Sequence, residues 1–183
     1  MMQPSRRILA LAIAVAVVAS SSIASGRGRP SSGRPFSANK TFGLGIMLGA
    51  PTGLTGKYFL KSDQAIDFGV GGIYYYRHGN GFHIHGDYLW HPLSLASTEA
   101  FELPFYVGVG ARIWNFCDCP DNNTHYNATA IGVRVPFGLA LDFNDAPIDI
   151  FFELVVVADF FVNYRDSFGP DIDGAIGFRY WFD

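Results

Sequence analysis

The chain has 183 residues, of which 49% are hydrophobic and 16% are charged, and its formal net charge is −3. The low charged fraction and the 21 glycines argue against a soluble helical domain. Nothing in the weakly acidic balance of charge points to nucleic-acid binding.

The N-terminus has the features of an export signal. Two arginines precede an apolar run over residues 8–19, and Ser22 and Ala24 then place small side chains at the −3 and −1 positions of a cleavage site. An uncleaved anchor is the alternative, but the run is short for a membrane span of about 20 residues. We therefore expect a cleaved signal peptide over residues 1–24. No cysteine follows the apolar run directly, so a lipoprotein anchor is not expected.

Residues 25–40 are rich in Ser, Gly, Arg and Pro, and they predict a flexible lead-in without a fold of its own. Beyond them, no apolar run is long enough for a membrane helix. An exported chain of this kind can still span a membrane, but only with strands in a closed sheet that satisfies their backbone hydrogen bonds.

The remaining chain contains eight segments that alternate between large apolar residues and small or polar ones. They cover residues 41–49, 53–61, 65–76, 81–91, 103–114, 129–143, 148–160 and 171–182. The face opposite the apolar one consists mainly of Gly and Ala, interrupted by charges of both signs. Such residues suit the cramped interior of an eight-stranded barrel, which side chains just fill. Residues 41–183 are therefore predicted to form an all-β fold, an eight-stranded antiparallel up-and-down transmembrane β-barrel.

The predicted connections differ between the two ends of the barrel. With the N-terminus on the inner side, the late outward loops, residues 115–128 and 163–170, are long, as in outer-membrane barrels. We expect any contact with an extracellular partner to be made there. The inward connection over residues 92–102 is longer than this topology predicts, and we interpret it as an ordered flap or a short helical turn.

The last segment carries Gly174, followed by aromatic residues at alternate positions, Phe178, Tyr180 and Phe182. With the alternation before it, this pattern resembles the small eight-stranded outer-membrane barrels, the class of the outer-membrane protein A transmembrane domain. In that class the pattern is a signal for the barrel-assembly machinery, and Asp183 after the final aromatic residue departs from it. The resemblance implies residence in outer-membrane lipid and contact with the assembly machinery, and it brings no activity with it.

Charged residues on the predicted lumen face suggest a filled interior. They are Lys57, Asp67, Asp87, Arg112, Arg134, Glu153, Asp159, Asp173 and Arg179. Because buried charges must be paired or hydrogen-bonded, we interpret them as a structural ion-pair core. A narrow path for ions or protons is the alternative, and bilayer recordings would distinguish the two.

His83 and His85 lie two residues apart on one strand, so both are predicted to point into the lumen, with His91 further along the same face. Two imidazoles at this spacing could share a metal ion, with Asp87 or Asp67 as an oxygen ligand. No third ligand is defined by the sequence, and lumen histidines more often form hydrogen bonds. We therefore expect neither a metal nor another cofactor.

Cys117 and Cys119 fall in the longest predicted outward loop, with His125 nearby. Two cysteines in an exported chain suggest a disulfide, although a bridge across one intervening residue is strained. An intermolecular bond or a soft-metal pair are the other interpretations.

The favoured function is that of a monomeric integral outer-membrane barrel with a structural or surface-interaction role, and not an enzyme. A soluble periplasmic barrel that binds a small apolar ligand, like a lipocalin, is the second hypothesis, and it requires an apolar lumen. The third is a lipid-modifying enzyme that uses a rim residue such as Ser167 or His78, but no nucleophile–base pair can be identified from the sequence.

Overall fold

The computed structural model describes residues 33–75, 79–121, 124–162 and 167–182. Eight β-strands form a closed antiparallel barrel in which each strand pairs with its neighbours in the chain and the last strand pairs with the first. The strands are β1 (Phe42–Gly49), β2 (Thr52–Lys61), β3 (Gln64–Tyr75), β4 (Gly79–Ser97), β5 (Phe101–Asp121), β6 (Thr124–Phe143), β7 (Ile148–Val162) and β8 (Phe168–Phe182). The predicted eight-stranded up-and-down barrel is thereby confirmed.

The barrel has two distinct ends. We call the end that carries the connections β2–β3, β4–β5 and β6–β7 the inner end and the end that carries the other four the outer end, after the expected orientation. At the inner end, the rings of Tyr88 and Trp90 pack edge to face with centroids 4.7 Å apart, and those of Tyr180 and Phe182 do so at 5.0 Å. The side chains of these aromatic residues point away from the lumen, the arrangement that is typical of an interfacial girdle. No helix within the described part of the chain has the length and apolar character that crossing a membrane requires.

The outer connection expected over residues 115–128 is, in the structure, mostly sheet. β5 and β6 remain paired as far as Asp121 opposite Thr124, so they form a ribbon. Main-chain hydrogen bonds continue where the side-chain alternation fades, because the ladder pairs backbone groups whatever the side chains are. Of the other expected loop, residues 163–166 lie outside the described part, and β8 begins at Phe168.

The expected long inward connection over residues 92–102 is also wrong. β4 continues to Ser97 and β5 begins at Phe101, so there is neither a flap nor a helical turn. Shifts in the pairing register, between Trp90 and Leu93 and again after Ser94, interrupt the ladder without ending it. Such bulges accommodate prolines that would otherwise break a central strand, which is why the sequence pattern ended too early.

The sequence predicts a flexible lead-in over residues 25–40, but residues 33–40, which we call the strap, pack against the barrel. The strap lies against the inner end of the barrel, where Arg34 forms an antiparallel bridge with Ser94 and the ring of Phe36 is buried. The apolar ring and three main-chain hydrogen bonds hold it there, although its composition is that of a linker. The predicted signal peptide and residues 25–32 lie outside the described residues.

Candidate functional site in the barrel lumen

Glycines on the lumen face make room for large polar side chains. Arg112 on β5 lies opposite Gly132 on β6, and a Cβ atom on that glycine would lie 2.2 Å from Oδ1 of Asp159. A Cβ atom on Gly138 would lie 2.1 Å from the Cζ atom of Tyr106. The pattern of small residues opposite the apolar face therefore reflects the volume that the ion pairs and rings occupy.

Arg112 is the centre of the cluster nearest the outer end. Its Nε donates to Asp159 Oδ1 at 3.0 Å, and its Nη2 donates to Asp171 Oδ2 at 2.8 Å. A second bond to Asp159 makes that pair bidentate, and Nη1 binds Asp173. Trp114 also donates to Asp159, with 3.3 Å between Nε1 and Oδ2. Bidentate, charge-assisted contacts of this kind give the guanidinium one fixed orientation.

Arg134 joins this cluster to the middle of the lumen. Its Nε lies 3.1 Å from both carboxylate oxygens of Asp87, and its Nη2 donates to Glu153 Oε1 at 3.3 Å. Its Nη1 is 3.7 Å from Asp173 Oδ2, so Asp173 touches both arginine clusters. Tyr106 completes the group, since its hydroxyl donates to Glu153 Oε2 at 3.1 Å.

Arg179 forms the third cluster, on the inner side of the other two. Its Nε donates to Asp149 Oδ1 at 3.1 Å and its Nη1 to Asp67 Oδ2 at 2.6 Å. The guanidinium carbon also lies 4.2 Å from the centroid of the Phe151 ring, a cation–π contact. The three arginine side chains are almost fully buried, and each has at least two carboxylate partners.

Lys57 departs from the expected ion-pair core. Within the described residues no carboxylate lies in ion-pair distance of its Nζ, which is instead 2.7 Å from Nε2 of His91 and 4.5 Å from the centroid of the Tyr106 ring. Asp67 lies directly opposite Lys57 on β3, but Arg179 takes that carboxylate. A planar guanidinium with five donors can bind two carboxylates at once, which an ammonium ion does less well.

Four further charged groups take part in ion pairs of the barrel although they are not among the predicted core residues. They are Lys40, Asp142, Asp149 and Asp171. Asp149 alternates in phase with Glu153, so the strand pattern contained the signal that places it in the lumen. Asp171 stands at the edge of the predicted last strand, and no local pattern connects Lys40 to Asp142, which lies 102 residues away.

His83 and His85 contact each other in the outer half of the lumen. Nδ1 of His85 is 3.2 Å from Nε2 of His83, and the ring planes are 83° apart. Both rings are buried, and a hydrogen bond between them requires that one nitrogen donates and the other accepts. No group of three or more His, Cys, Asp or Glu side chains suited to a metal ion occurs in the described part of the chain.

The remaining candidate residues lie at the outer end. The backbone of Cys117 and Cys119 belongs to β5, with Cys117 opposite Asn127, but their side chains are outside the described part and the disulfide stays a prediction. Ser167 is exposed next to the start of β8, and His78 lies outside the described residues.

The aromatic residues of the proposed assembly signal share one side of β8. Phe178, Tyr180 and Phe182 are exposed on the outer surface, on the same face as Gly174. Their strand closes the barrel by pairing with β1 from Phe42 opposite Phe182 to Gly49 opposite Ala175. Recognition by the assembly machinery stays a prediction.

Comparison with solved structures supports this architecture. The backbone is similar to the N-terminal β-barrel domain of Pseudomonas aeruginosa OprF, with a TM-score of 0.56 and 15% identity over 80% of this chain and 99% of that chain. The attachment invasion locus protein Ail of Yersinia pestis is less similar, with a TM-score of 0.36 and 16% identity over 78% of this chain and 97% of that chain.

The closed eight-stranded ring and its apolar outer surface define the class: the fold is that of the small outer-membrane β-barrels. No curated protein matches the sequence. The chain belongs to the family of proteins of unknown function DUF3996, whose model matches residues 34–167.

Proposed function

We propose that this protein is an integral outer-membrane barrel with a side-chain-filled lumen that serves a structural or surface-contact role. One observation carries the proposal: a closed ring of strands exposes large apolar side chains outward and encloses paired charges inward. Hydrocarbon is the solvent that suits such an outer surface, because a closed barrel leaves no backbone group unsatisfied there. A soluble lipocalin-like barrel would need the opposite arrangement.

The lumen supports a structural role in preference to a conducting one. Three arginines and their carboxylate partners cross the interior at successive levels, from Arg112 near the outer end to Arg179 near the inner end. An eight-stranded barrel has an interior just wide enough to be filled by side chains. We therefore expect no discrete channel openings for the wild-type protein in planar bilayers, and stable single-channel steps would favour the narrow pore.

The outer end supports the surface-contact role. Pairing of β4 with β5 ends at Gly81 opposite Phe116, and pairing of β6 with β7 ends at Thr129 opposite Val162. Beyond those positions β5 and β6 pair only with each other in the described part, so the ribbon extends past its neighbours. We expect an extracellular partner to contact this ribbon and the predicted loop over residues 163–170.

Two experiments test membrane residence and orientation. Folded protein should remain in the outer-membrane fraction, need detergent for extraction, and migrate differently on gels before and after heating. Recovery in the soluble periplasmic fraction would overturn the proposal. Protease added to intact cells should cut within the β5–β6 ribbon and spare the strap, and cutting in the strap alone would reverse the orientation.

The assembly signal can be tested separately. Phe182→Ala should lower the folded fraction in cells, where the assembly machinery acts, but should leave refolding of purified protein into lipid vesicles nearly unchanged. Phe152→Ala, on β7, is the matched control, because it removes an outward ring outside the last strand. Equal loss in both settings would assign Phe182 a purely structural role.

A further inference from the structure

The strap contacts both sides of the inner mouth of the barrel. Ala38 donates its backbone N–H to the carbonyl of Ser62 at 2.7 Å, in the β2–β3 turn. Lys40 Nζ pairs with Asp142 and donates to the carbonyl of Phe143 at 2.9 Å, beside the β6–β7 turn. In a ring of eight sequential strands these two turns stand on opposite sides. The main chain of the strap is bound on one side, at β4 and the β2–β3 turn, and the Lys40 side chain reaches toward the other.

Phe36 lies between the bridge at Arg34 and the hydrogen bond at Ala38, and its ring packs on a layer of other rings. It is only 6% exposed, and its ring centroid is 5.3 Å from that of His91 and 5.9 Å from that of Phe59. Phe59 stacks on Trp181 at 5.6 Å, and His91 packs against Tyr106 at 5.5 Å. The four rings under Phe36 come from β2, β4, β5 and β8, so the layer fills the width of the lumen.

A buried cation lies directly behind this layer. Lys57 is 2% exposed, and its Nζ is 2.7 Å from Nε2 of His91. An ammonium group has no acceptor, so it donates to Nε2, and the imidazole is then the tautomer with its proton on Nδ1. That Nδ1 faces the carbonyl oxygen of Asp63 at 3.3 Å. The pair therefore depends on a carbonyl at the inner rim, in the same turn that the strap binds.

We propose that the strap is a lid that seals the lumen at its inner end, with Phe36 as the stopper over the Lys57–His91 pair. The strap contributes no strand to the barrel and pairs with it through a single isolated bridge, from Arg34 to Ser94. It can therefore leave the inner mouth while the ladders between the eight strands remain intact. Opening admits water and small solutes to Lys57 and leaves the arginine clusters beyond it in place.

The three lysines of the chain, Lys40, Lys57 and Lys61, allow a direct test by amine acetylation. Folded protein in detergent micelles is treated briefly with a small N-hydroxysuccinimide ester, and modification at each lysine is followed by mass spectrometry. Lys61 is exposed and serves as the internal reference. A buried group that reacts only when the structure opens locally has a modification rate proportional to the fraction of time that it is open. Lys57 should therefore react at least about tenfold more slowly than Lys61.

Phe36→Ala should raise the acetylation rate of Lys57 by at least about tenfold while the rate at Lys61 is unchanged, since the open fraction rises. Phe152→Ala, which removes a ring of the same size from the outer surface, should leave Lys57 protected. Lys40→Met releases one end of the strap and keeps the stopper, so it should give a smaller increase. Gel mobility before heating shows in each case that the barrel is folded.

Two results would overturn the proposal. One is rapid acetylation of Lys57 in the wild-type protein, at the rate of Lys61. The other is full protection of Lys57 in the folded Phe36→Ala and Lys40→Met variants. This test is independent of membrane residence, so its failure would leave the proposed outer-membrane function untouched.

Discussion

Val133 and Arg134 are neighbours on β6 but face different surroundings. Val133 is 49% exposed on the outer surface, whereas Arg134 is 1% exposed and contacts carboxylates on β4, β7 and β8. The outer position needs only an apolar side chain, because lipid has no fixed shape to match. The lumen position needs partners, hydrogen-bond geometry and space, because an unpaired charge in the interior is costly.

The largest effect on stability is expected from removing a paired charge in the lumen. Arg134→Ala leaves Asp87 and Glu153 without their guanidinium, and we expect the free energy of unfolding to fall by about 3–5 kcal/mol. Urea unfolding in micelles, followed by tryptophan fluorescence and gel mobility, measures it. Lys61→Ala, at an exposed cation, should have almost no effect. A loss for Arg134→Ala as small as that of the control would contradict a structural ion-pair core.

The outer surface is tested by introducing a charge at the residue adjacent to Arg134. Val133→Arg places a charge on the apolar surface, and it should cost about 2–4 kcal/mol in lipid vesicles if the residue lies near the middle of the bilayer. Leu60→Arg, close to the inner end of β2, should cost no more than about 1 kcal/mol, since charges are tolerated near the interface. Equal costs at the two depths would argue against the proposed position of the bilayer.

Glycines on the lumen face and on the outer surface should differ in how well they tolerate an added methyl group. Gly138→Ala would bring a methyl group to 2.1 Å from the Tyr106 ring, and we expect a loss of about 1–3 kcal/mol from overpacking. Gly86 lies on the outer surface, and the nearest atom to a Cβ there is 4.0 Å away. Gly86→Ala should therefore change stability by less than about 0.5 kcal/mol. Comparable losses in the two variants would show that lumen volume is not the constraint.

The smallest effect concerns one hydroxyl group. Tyr106→Phe removes the hydrogen bond to Glu153 and keeps the ring, so the expected loss is about 1 kcal/mol. Tyr88→Phe removes a hydroxyl that donates to Gln64 near the inner girdle, and it should cost less, because water or headgroups can replace the bond. A larger loss for Tyr88→Phe would contradict a dry lumen at Tyr106 and a water-accessible surface at Tyr88.

The outcomes for particular residues show how far a sequence pattern reaches. The alternation predicts His83 and Arg134 on the lumen face, where both are buried, because successive side chains of a strand point to opposite faces. The partners of Arg179 were beyond such reasoning, since Asp67 lies 112 residues away in the chain. Lys57 shows most clearly what the pattern cannot predict. The sequence predicts that it pairs with a lumen carboxylate, but Arg179 binds Asp67 and Lys57 contacts His91 instead.

The sequence by itself determined the strand alternation, the number of strands and the sidedness of nearly every described strand residue, because these follow from a local period of two. Only the tertiary structure decided which charges pair across the lumen, where β5 and β6 end, and that Phe36 of the strap is buried at the inner mouth. Those features depend on the register around a closed ring and on distances between residues far apart in the chain. No local pattern encodes them.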